Sequence, residues 1–330
     1  MTFERPTLPS GSTRVAAIDC GTNSIRLLIA DVDQASGTLT DHLRIMEVVR
    51  LGQGVDKTGR FNQESLDRTL EATARYAQLC EDYGVEKVRF VATSATRDAE
   101  NRQEFVDGVK AAIGIEPEVV SGDEEALLSF QGAISALGPE HKGPFLIVDL
   151  GGGSTELVLG TTSPVAAYSM NVGCVRMTER HMQEDPPTKE EIVAAAKDVN
   201  AAIDEASKVV PIGRTATLVG LAGSITTATA HTLKLKEYDR DKINGAVMQI
   251  SAVQKALTDL IERTRAERAA LPFMHPGRVD VMGAGALVWS TVMARVQAAV
   301  AQQGGKLTTT VTSEHDILDG IAISLGRNQG

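Results

Sequence analysis

The spacing of apolar residues along this chain changes repeatedly between two periods, which predicts an α/β protein. Short apolar runs such as RVAAID and KVRFVATSA are typical of strands. Apolar residues three or four positions apart predict helices over about Gln63–Asp82, Arg102–Ile113 and Lys189–Lys208. The segment DEEALLSFQGAISALG predicts a further amphipathic helix, and Thr93–Asp98 reads as the loop after a buried strand.

One strand–turn–strand pattern occurs twice. The stretch IDCGTNSIRLLIAD at Ile18–Asp31 is repeated as VDLGGGSTELVLGT at Val148–Thr161, and Asp19 aligns with Asp149. Both copies carry glycine at the turn and apolar residues on either side, so each half of the chain opens with the same predicted hairpin. The repetition indicates a duplicated α/β design.

The duplication and a cluster of turn residues, GPEHKGP, place a boundary near Ser135–Gly143. We therefore expect a first domain over 1–134 and a second over 135–312, with a C-terminal helix at about 313–330 packing back on the first. In the second half, VAAYSMNVGCVRMTE reads as a strand that runs into a loop, and ISAVQKALTDLIERTRAERAAL reads as one long helix. ATLVGLAGSITTATA and RVDVMGAGALVWSTVMARV both read as strand, glycine turn and helix.

Composition narrows the class of protein. With 42% hydrophobic and 23% charged residues, the chain has enough apolar material for a soluble globular core. A net charge of −10 argues against general nucleic-acid binding, although a local basic groove could still hold a small polyanion. We expect no membrane span, since no apolar run approaches about 18 residues. Three scattered cysteines indicate a reduced, cytoplasmic compartment.

The repeated turns have the composition of anion sites. Glycine exposes backbone N–H groups, and hydroxyl or amide side chains add further donors. The predicted phosphate-binding residues are those of the two turns: Gly21, Thr22, Asn23, Ser24, Gly151, Gly152, Gly153, Ser154 and Thr155. An aspartate ahead of each turn would repel a phosphate unless a cation such as Mg²⁺ lay between them. Asp149 is the first candidate ligand, with Asp19 and Glu156 weaker, and tight turns with hydrogen-bonded carboxylates are the alternative.

A base for phosphoryl hydrolysis is available in SGDEEALLSF. Ser121 and Glu124 fit a helix capping box, which gives Glu124 a structural role. Glu125 has no such role and is the candidate base for activating water. Arg97 follows a buried strand, so we expect it either to bind the transferring phosphoryl group or to pair with a neighbouring acid, Asp98 or Glu100.

Four motifs in order, AIDCGTNSIRLLIAD, ATSATRDAENR, VVSGDEEALLSF and IVDLGGGSTELVLG, resemble the exopolyphosphatase and guanosine pentaphosphate phosphohydrolase family. The resemblance implies two actin-like, ribonuclease-H-type domains with the active site between them. It also implies Mg²⁺-dependent release of the terminal phosphate of inorganic polyphosphate or guanosine pentaphosphate, with Mn²⁺ as an alternative ion. Glu125 then matches the catalytic glutamate, Arg97 the phosphate-gripping arginine and Asp149 the metal-associated acid. A homodimer is expected by family analogy alone.

Two departures from that family pattern bear on the substrate. Leu127 follows the Glu-Glu-Ala element, where many relatives carry a basic residue. Longer relatives add a helical domain, so processive digestion of long polymers is less secure for 330 residues. The other classes considered are an ATP-dependent kinase of the actin-like superfamily, with an adenosine pocket at Gly220–Ser224, and a non-catalytic sensor of polyphosphate or alarmone.

Overall fold

The computed structural model describes residues 5–326. The chain divides into two compact units: residues up to Ser135 together with those from Ile317 onward form the first, and Ala136–Asp316 form the second. The sequence placed this boundary at 134/135 and expected a returning helix from about 313. Residues 1–4 and 327–330, which are the ends of the first predicted domain and of that helix, lie outside the described residues.

Both units are built from a sheet with helices. The strands are β1 Ser12–Cys20, β2 Ser24–Asp33, β3 Leu39–Val48, β4 Lys87–Ala92, β5 Glu118–Val119, β6 Phe145–Leu150, β7 Thr155–Gly160, β8 Pro164–Met170, β9 Thr217–Leu221, β10 Val247–Gln249 and β11 Thr309–Thr312. The α-helices are α1 Val55–Thr58, α2 Gln63–Tyr83, α3 Ser94–Asp98, α4 Arg102–Ile113, α5 Gly122–Ser135, α6 Cys174–His181, α7 Lys189–Ser207, α8 Ala222–Thr232, α9 Arg240–Ile243, α10 Ile250–Glu262, α11 Arg265–Ala269, α12 Met282–Gln302 and α13 Ile317–Gly326.

The first unit has a five-stranded sheet in the order β3-β2-β1-β4-β5. Strands β1, β4 and β5 are parallel to one another, and β2 is antiparallel to both of its neighbours, β1 and β3. Alternate residues of β1 face opposite sides of the sheet. Ile18 packs with α2 and α4 on one side, and Ala17 packs with α5 and α13 on the other. Because helices cover both faces, nearly every residue of β1 is buried, and its centre, Val15–Ile18, is a continuous apolar run.

The second unit repeats this plan and adds one strand. Its order is β10-β11-β9-β6-β7-β8; β6, β9 and β11 are parallel, and β7, β8 and β10 are antiparallel to their neighbours. Helix α12 packs against α6, α7, α8 and α10, and its Trp289 is 1% exposed. By length and composition alone α12 could cross a membrane, but 56% of its apolar window is buried inside the protein, as in a core helix. The predicted α/β architecture is confirmed.

Several predicted elements are wrong. Residues 94–98 form α3 instead of a loop, and the strand predicted in RVDVMG is replaced by a 3₁₀ turn over Pro276–Arg278, with α12 beginning directly at Met282. The single long helix is broken at Thr264, whose hydroxyl caps α11 by accepting the N–H of Glu267. The loop predicted after β8 contains α6.

Two glycine segments read as turns lie inside helices instead. Helix α8 follows β9 directly, so Gly223 belongs to its first turn, and Gly285 lies within α12. Each is a point of close packing: a Cβ built at Gly223 would lie 2.4 Å from Cζ of Arg278, and one at Gly285 would lie 2.3 Å from Oγ of Ser224. At Gly285 the short Ser224 side chain approaches too closely for a Cβ, whereas at Gly223 a Cβ would require the Arg278 side chain to move.

Candidate active site

The two repeated hairpins adopt the same turn. In the first, the N–H of Gly21 donates to the carbonyl of Ser24 at 3.0 Å; in the second, Gly151 donates to Ser154 at 3.0 Å. In each case the turn lies between the last pair of facing residues of two antiparallel strands. The match predicted from the sequence therefore extends to the backbone hydrogen bond that closes the turn.

In the first hairpin, backbone amides of the segment after β3 hold the carbonyls of the turn. Gly52 donates to the Thr22 carbonyl at 2.8 Å, and the Asn23 carbonyl accepts from Val49 at 3.1 Å and from Arg50 at 2.9 Å. Gly52 has no alternative here, because a Cβ would lie 2.3 Å from Cγ2 of Thr22. The turn is therefore fixed from its carbonyl side.

In the second hairpin, backbone amides at the beginning of α6 hold the carbonyls of the turn. Cys174 donates to the Gly151 carbonyl at 3.0 Å, and Val175 donates to the Gly152 carbonyl at 2.8 Å. Gly173 allows this approach, because a Cβ there would lie 2.4 Å from the Gly152 oxygen. Since C=O and N–H of a trans peptide point in opposite directions, the amides of the loop are turned away from α6.

These amides are available as donors. In residues 5–326 the N–H groups of Gly152, Gly153 and Ser154 meet no hydrogen-bond acceptor. A run of such amides is an anion-binding nest. The Thr155 hydroxyl, which we also expected to bind phosphate, is fully buried and donates to the Val172 carbonyl at 2.6 Å, so it is committed to the fold.

The residue opposite each aspartate distinguishes the two hairpins. Asp19 faces Arg26, whose Nη2 donates to the Asp19 carboxylate at 2.6 Å. Asp149 faces Glu156 instead, and both are buried, at 7% and 1% exposure. Like charges opposite each other in a ladder repel, and buried carboxylates are costly to keep charged. Because two facing carboxylates offer a cation more oxygen ligands than one carboxylate bound by an arginine, the second pair is the better candidate for a cation and Asp19 is the weaker one.

The donor set suits a magnesium ion that is only partly held by protein. No group of three or more Asp, Glu, His or Cys side chains in the described part of the chain could hold a metal. Mg²⁺ is commonly bound through one or two carboxylates, with water and substrate phosphate oxygens as the remaining ligands. Glu156 is held in place by the Ser169 hydroxyl, which donates to its Oε1 at 2.7 Å.

The first unit brings together Arg97 and Glu125. Arg97 lies in α3, and its Nη1 donates to Oε2 of Glu125 at 2.7 Å and to the carbonyl of Val120 at 2.9 Å. The alternative of an ion pair with Asp98 or Glu100 is wrong, because these two bonds are all that Arg97 makes within residues 5–326. Its Nε and Nη2 donors remain for another acceptor.

Glu124 forms only one of the two hydrogen bonds of the predicted capping box. Its N–H donates to the Ser121 hydroxyl at 3.2 Å, as in a capping box. Its carboxylate instead accepts from Arg89 at 2.7 Å, on a side chain that is 44% exposed. The two adjacent glutamates thus face different surroundings, since Glu125 is 8% exposed.

A family model, that of the Ppx/GppA phosphatases, matches residues 28–307. The chain belongs to the Ppx/GppA phosphatase family. The match covers strands and helices of both units, and the resemblance of the four motifs is confirmed.

Relatives of known name match over nearly the full length of this Ppx/GppA chain. The protein named Exopolyphosphatase 2 from Mycobacterium tuberculosis is 48% identical over 320 residues, which is 95% of this chain and 98% of that protein. A solved structure described as an exopolyphosphatase-like protein is 47% identical and superposes with a TM-score of 0.93, covering 96% of this chain and 98% of the other.

A more distant structure is that of the Aquifex aeolicus member of the Ppx/GppA family. It is 29% identical, with a TM-score of 0.77, over 95% of this chain and 97% of its own. Together with the two sheets described above, this likeness confirms the expected pair of actin-like α/β domains. The expected position of the active site between them stays a prediction.

The sequence did not identify the groups that hold the glycine loops. Gly52, Gly173 and Arg176 lie in segments read as strand ends or loops, and each contacts a turn distant in sequence. The one available signal was that Gly173 and Arg176 lie together in NVGCVRMTE, a segment that fits the family but to which we assigned no role.

Proposed function

We propose that this chain is an exopolyphosphatase, which hydrolyses the terminal phosphoanhydride bond of inorganic polyphosphate with the help of Mg²⁺. The observation that carries the proposal is in the second hairpin. Two buried carboxylates, Asp149 and Glu156, face each other next to a loop whose amides meet no acceptor within residues 5–326. Carboxylate oxygens are ligands that Mg²⁺ prefers and a run of amides is a site for an anion, so a magnesium-bound phosphate suits both.

Asp149 and Glu156 would hold the ion, with the Ser169 hydroxyl fixing the orientation of Glu156. Bound there, Mg²⁺ would neutralise charge on the phosphate oxygens of the substrate. Gly152, Gly153 and Ser154 would donate their amides to the same phosphate. Charge neutralisation and positioning are the main requirements of phosphoryl transfer.

Glu125 would accept a proton from the attacking water. The hydrogen bond from Arg97 fixes the orientation of this carboxylate through its oxygen Oε2. The Nε and Nη2 donors of Arg97 would then bind the phosphoryl group that is transferred. One guanidinium thus aligns the base and the phosphorus that the water attacks.

The choice of polyphosphate is supported by the name of the Mycobacterium tuberculosis relative, which is 48% identical to this chain. The family name also includes guanosine pentaphosphate phosphatases, whose substrate has the same terminal phosphoanhydride. The residues named above would act on either substrate, so a direct comparison of the two is required.

The test is release of inorganic phosphate from polyphosphate, guanosine pentaphosphate and ATP, each with Mg²⁺ and with excess EDTA. We expect the highest kcat/KM on polyphosphate, and loss of turnover in EDTA that returns when Mg²⁺ is added. A tenfold preference for guanosine pentaphosphate would refute the substrate, and full activity in EDTA would refute the metal. ATP turnover only in the presence of a phosphate acceptor would indicate a kinase.

A further inference from the structure

Arg176 contacts the glycine loop of the second hairpin through its side chain. It is the third residue of α6, and its Nε donates to the Gly153 carbonyl at 2.7 Å. Its backbone N–H also donates to the Gly152 carbonyl, at 3.1 Å. The three glycine carbonyls of the loop are thus all bound from the side of α6.

The hydrogen bond from Arg176 determines the direction of one amide. In a planar trans peptide the N–H of Ser154 points away from the carbonyl of Gly153, so fixing that oxygen also fixes the amide. Glycine permits a wide range of backbone conformations, and a triple-glycine loop has little intrinsic preference for one of them. The loop therefore depends on external contacts to keep its donors aligned.

The contact to Gly153 differs in kind from the others. The Gly151 and Gly152 carbonyls are held by backbone amides, which no substitution except proline removes. Within residues 5–326, the Gly153 oxygen accepts only from the Arg176 guanidinium. In the first hairpin the corresponding carbonyl, that of Asn23, accepts from two backbone amides and needs no side chain.

We propose that Arg176 is a positioning residue, which aligns the Ser154 amide for the phosphate that this loop binds. The inference rests on the proposed function only in its choice of phosphate as the anion. Arg176 acts through the Gly153–Ser154 peptide, so its loss misaligns the amide donor that it sets.

The first experiment measures polyphosphate hydrolysis by Arg176→Ala, Arg176→Lys and Arg180→Ala. Arg180 lies one turn further along α6 and pairs with Asp198, so it controls for loss of a positive charge on this helix. Loss of one transition-state donor costs about 10²–10³ in rate, and a donor that is misaligned costs less. We expect kcat/KM to fall about tenfold to a hundredfold in Arg176→Ala, with part of the loss recovered by millimolar guanidinium, and to change less than twofold in Arg180→Ala.

Partial activity in Arg176→Lys supports the inference, because lysine can offer a single donor to the Gly153 oxygen. Unchanged kcat/KM in Arg176→Ala would overturn it, and so would an equal loss in Arg180→Ala. If Arg176→Ala fails to fold, Arg176→Gln takes its place, since glutamine is neutral and retains an N–H donor. Loss of activity in Arg176→Gln without any response to guanidinium would then count against the inference.

A second measurement separates this inference from the proposed function. Inorganic phosphate is titrated into ¹⁵N-labelled protein while the Ser154 amide resonance is followed. We expect a saturable shift in the wild type that is lost in Arg176→Ala and kept in Arg180→Ala. That result supports the role of Arg176 even if polyphosphate is not hydrolysed, whereas a Ser154 shift that is absent in the wild type or unchanged in Arg176→Ala would overturn it.

Discussion

Replacing Glu125 by glutamine is the most direct perturbation of the proposed chemistry. Glutamine has the same shape and keeps an oxygen that can accept the 2.7 Å hydrogen bond from Arg97, but it cannot take a proton from water. General-base catalysis contributes about 10²–10⁴ in rate. At 1.36 kcal/mol for each factor of ten, the barrier should rise by about 2.7–5.4 kcal/mol. We expect kcat to fall by that factor while KM changes little.

The fold should survive this substitution. Arg97 stays charged, so its hydrogen bond to glutamine remains one to a charged group, and the exchange loses only the charge–charge attraction, about 1 kcal/mol. The Arg97 and Glu125 side chains are 24% and 11% exposed, and solvent screening makes the cost smaller still. A decrease in Tm of a few degrees is expected, which leaves the protein folded at 25 °C.

The matched control is Glu124→Gln, the same substitution one residue earlier. The Glu124 side chain is 44% exposed and pairs with Arg89, so kcat should stay within twofold of the wild type. Initial rates of phosphate release are measured against polyphosphate concentration at saturating Mg²⁺, with Tm followed in parallel. More than a tenth of wild-type kcat in Glu125→Gln, or an equal loss in Glu124→Gln, would refute the assignment of the base.

Three further substitutions follow from the first unit. Gly320→Ala should destabilise by about 1–3 kcal/mol in urea titration, because its Cβ would lie 2.0 Å from the backbone oxygen of Leu128; an unchanged midpoint would contradict that packing. Burial opposes ionisation of Asp31, but hydrogen bonds from Arg14 and a histidine outweigh it and hold the pKa of this carboxyl below its usual range. Asp31→Asn should therefore cost about 3–5 kcal/mol in unfolding free energy at pH 7, and this difference should narrow as the pH falls from the ordinary carboxyl pKa through the lowered one. A difference that is independent of pH would refute the ion pair. Arg97→Lys should slow phosphate release from every substrate, because an ammonium cannot hold both Glu125 and a phosphoryl group, and an unaltered rate would reduce Arg97 to a structural partner.

The paired hairpins could be predicted because their signal is local. Strands covered on both faces read as unbroken apolar runs, and the glycine turns between them recur at matching positions. Helices α4 and α7 were predicted equally well, since α4 has a regular apolar face and α7 begins with a Thr188 capping box.

The beginnings of α8 and α12 could not be predicted, because the reason for their glycines is not local. Glycine near the start of an apolar segment usually marks a turn. Here Gly223 makes room for Arg278, and Gly285 makes room for Ser224, within the second unit. Residue Ala222, which begins α8, even takes a left-handed conformation at φ 70° that alanine rarely adopts.

The candidate site likewise has residues that the sequence could predict and contacts that it could not. Side chains that carry chemistry, such as Glu125 and Asp149, stand inside short motifs and could be selected from residue type and position. The contacts that hold them are made between segments far apart: Arg97 reaches Glu125 across 28 positions, and Arg176 reaches Gly153 across 23. Such contacts depend on the packing of α3, α5 and α6, which no local pattern specifies.

The two hairpins share one scaffold and differ at the residue that faces the aspartate. Both present an aspartate at the end of a central strand, and both close with the same glycine-to-serine hydrogen bond. In the first copy the facing residue is Arg26, so the aspartate is neutralised within the protein. In the second it is Glu156, so two buried carboxylates lie opposite each other. Two facing carboxylates offer more oxygen ligands to a cation than one carboxylate bound by an arginine, so we propose that the residue opposite the aspartate separates a metal-binding hairpin from one that is closed by an ion pair.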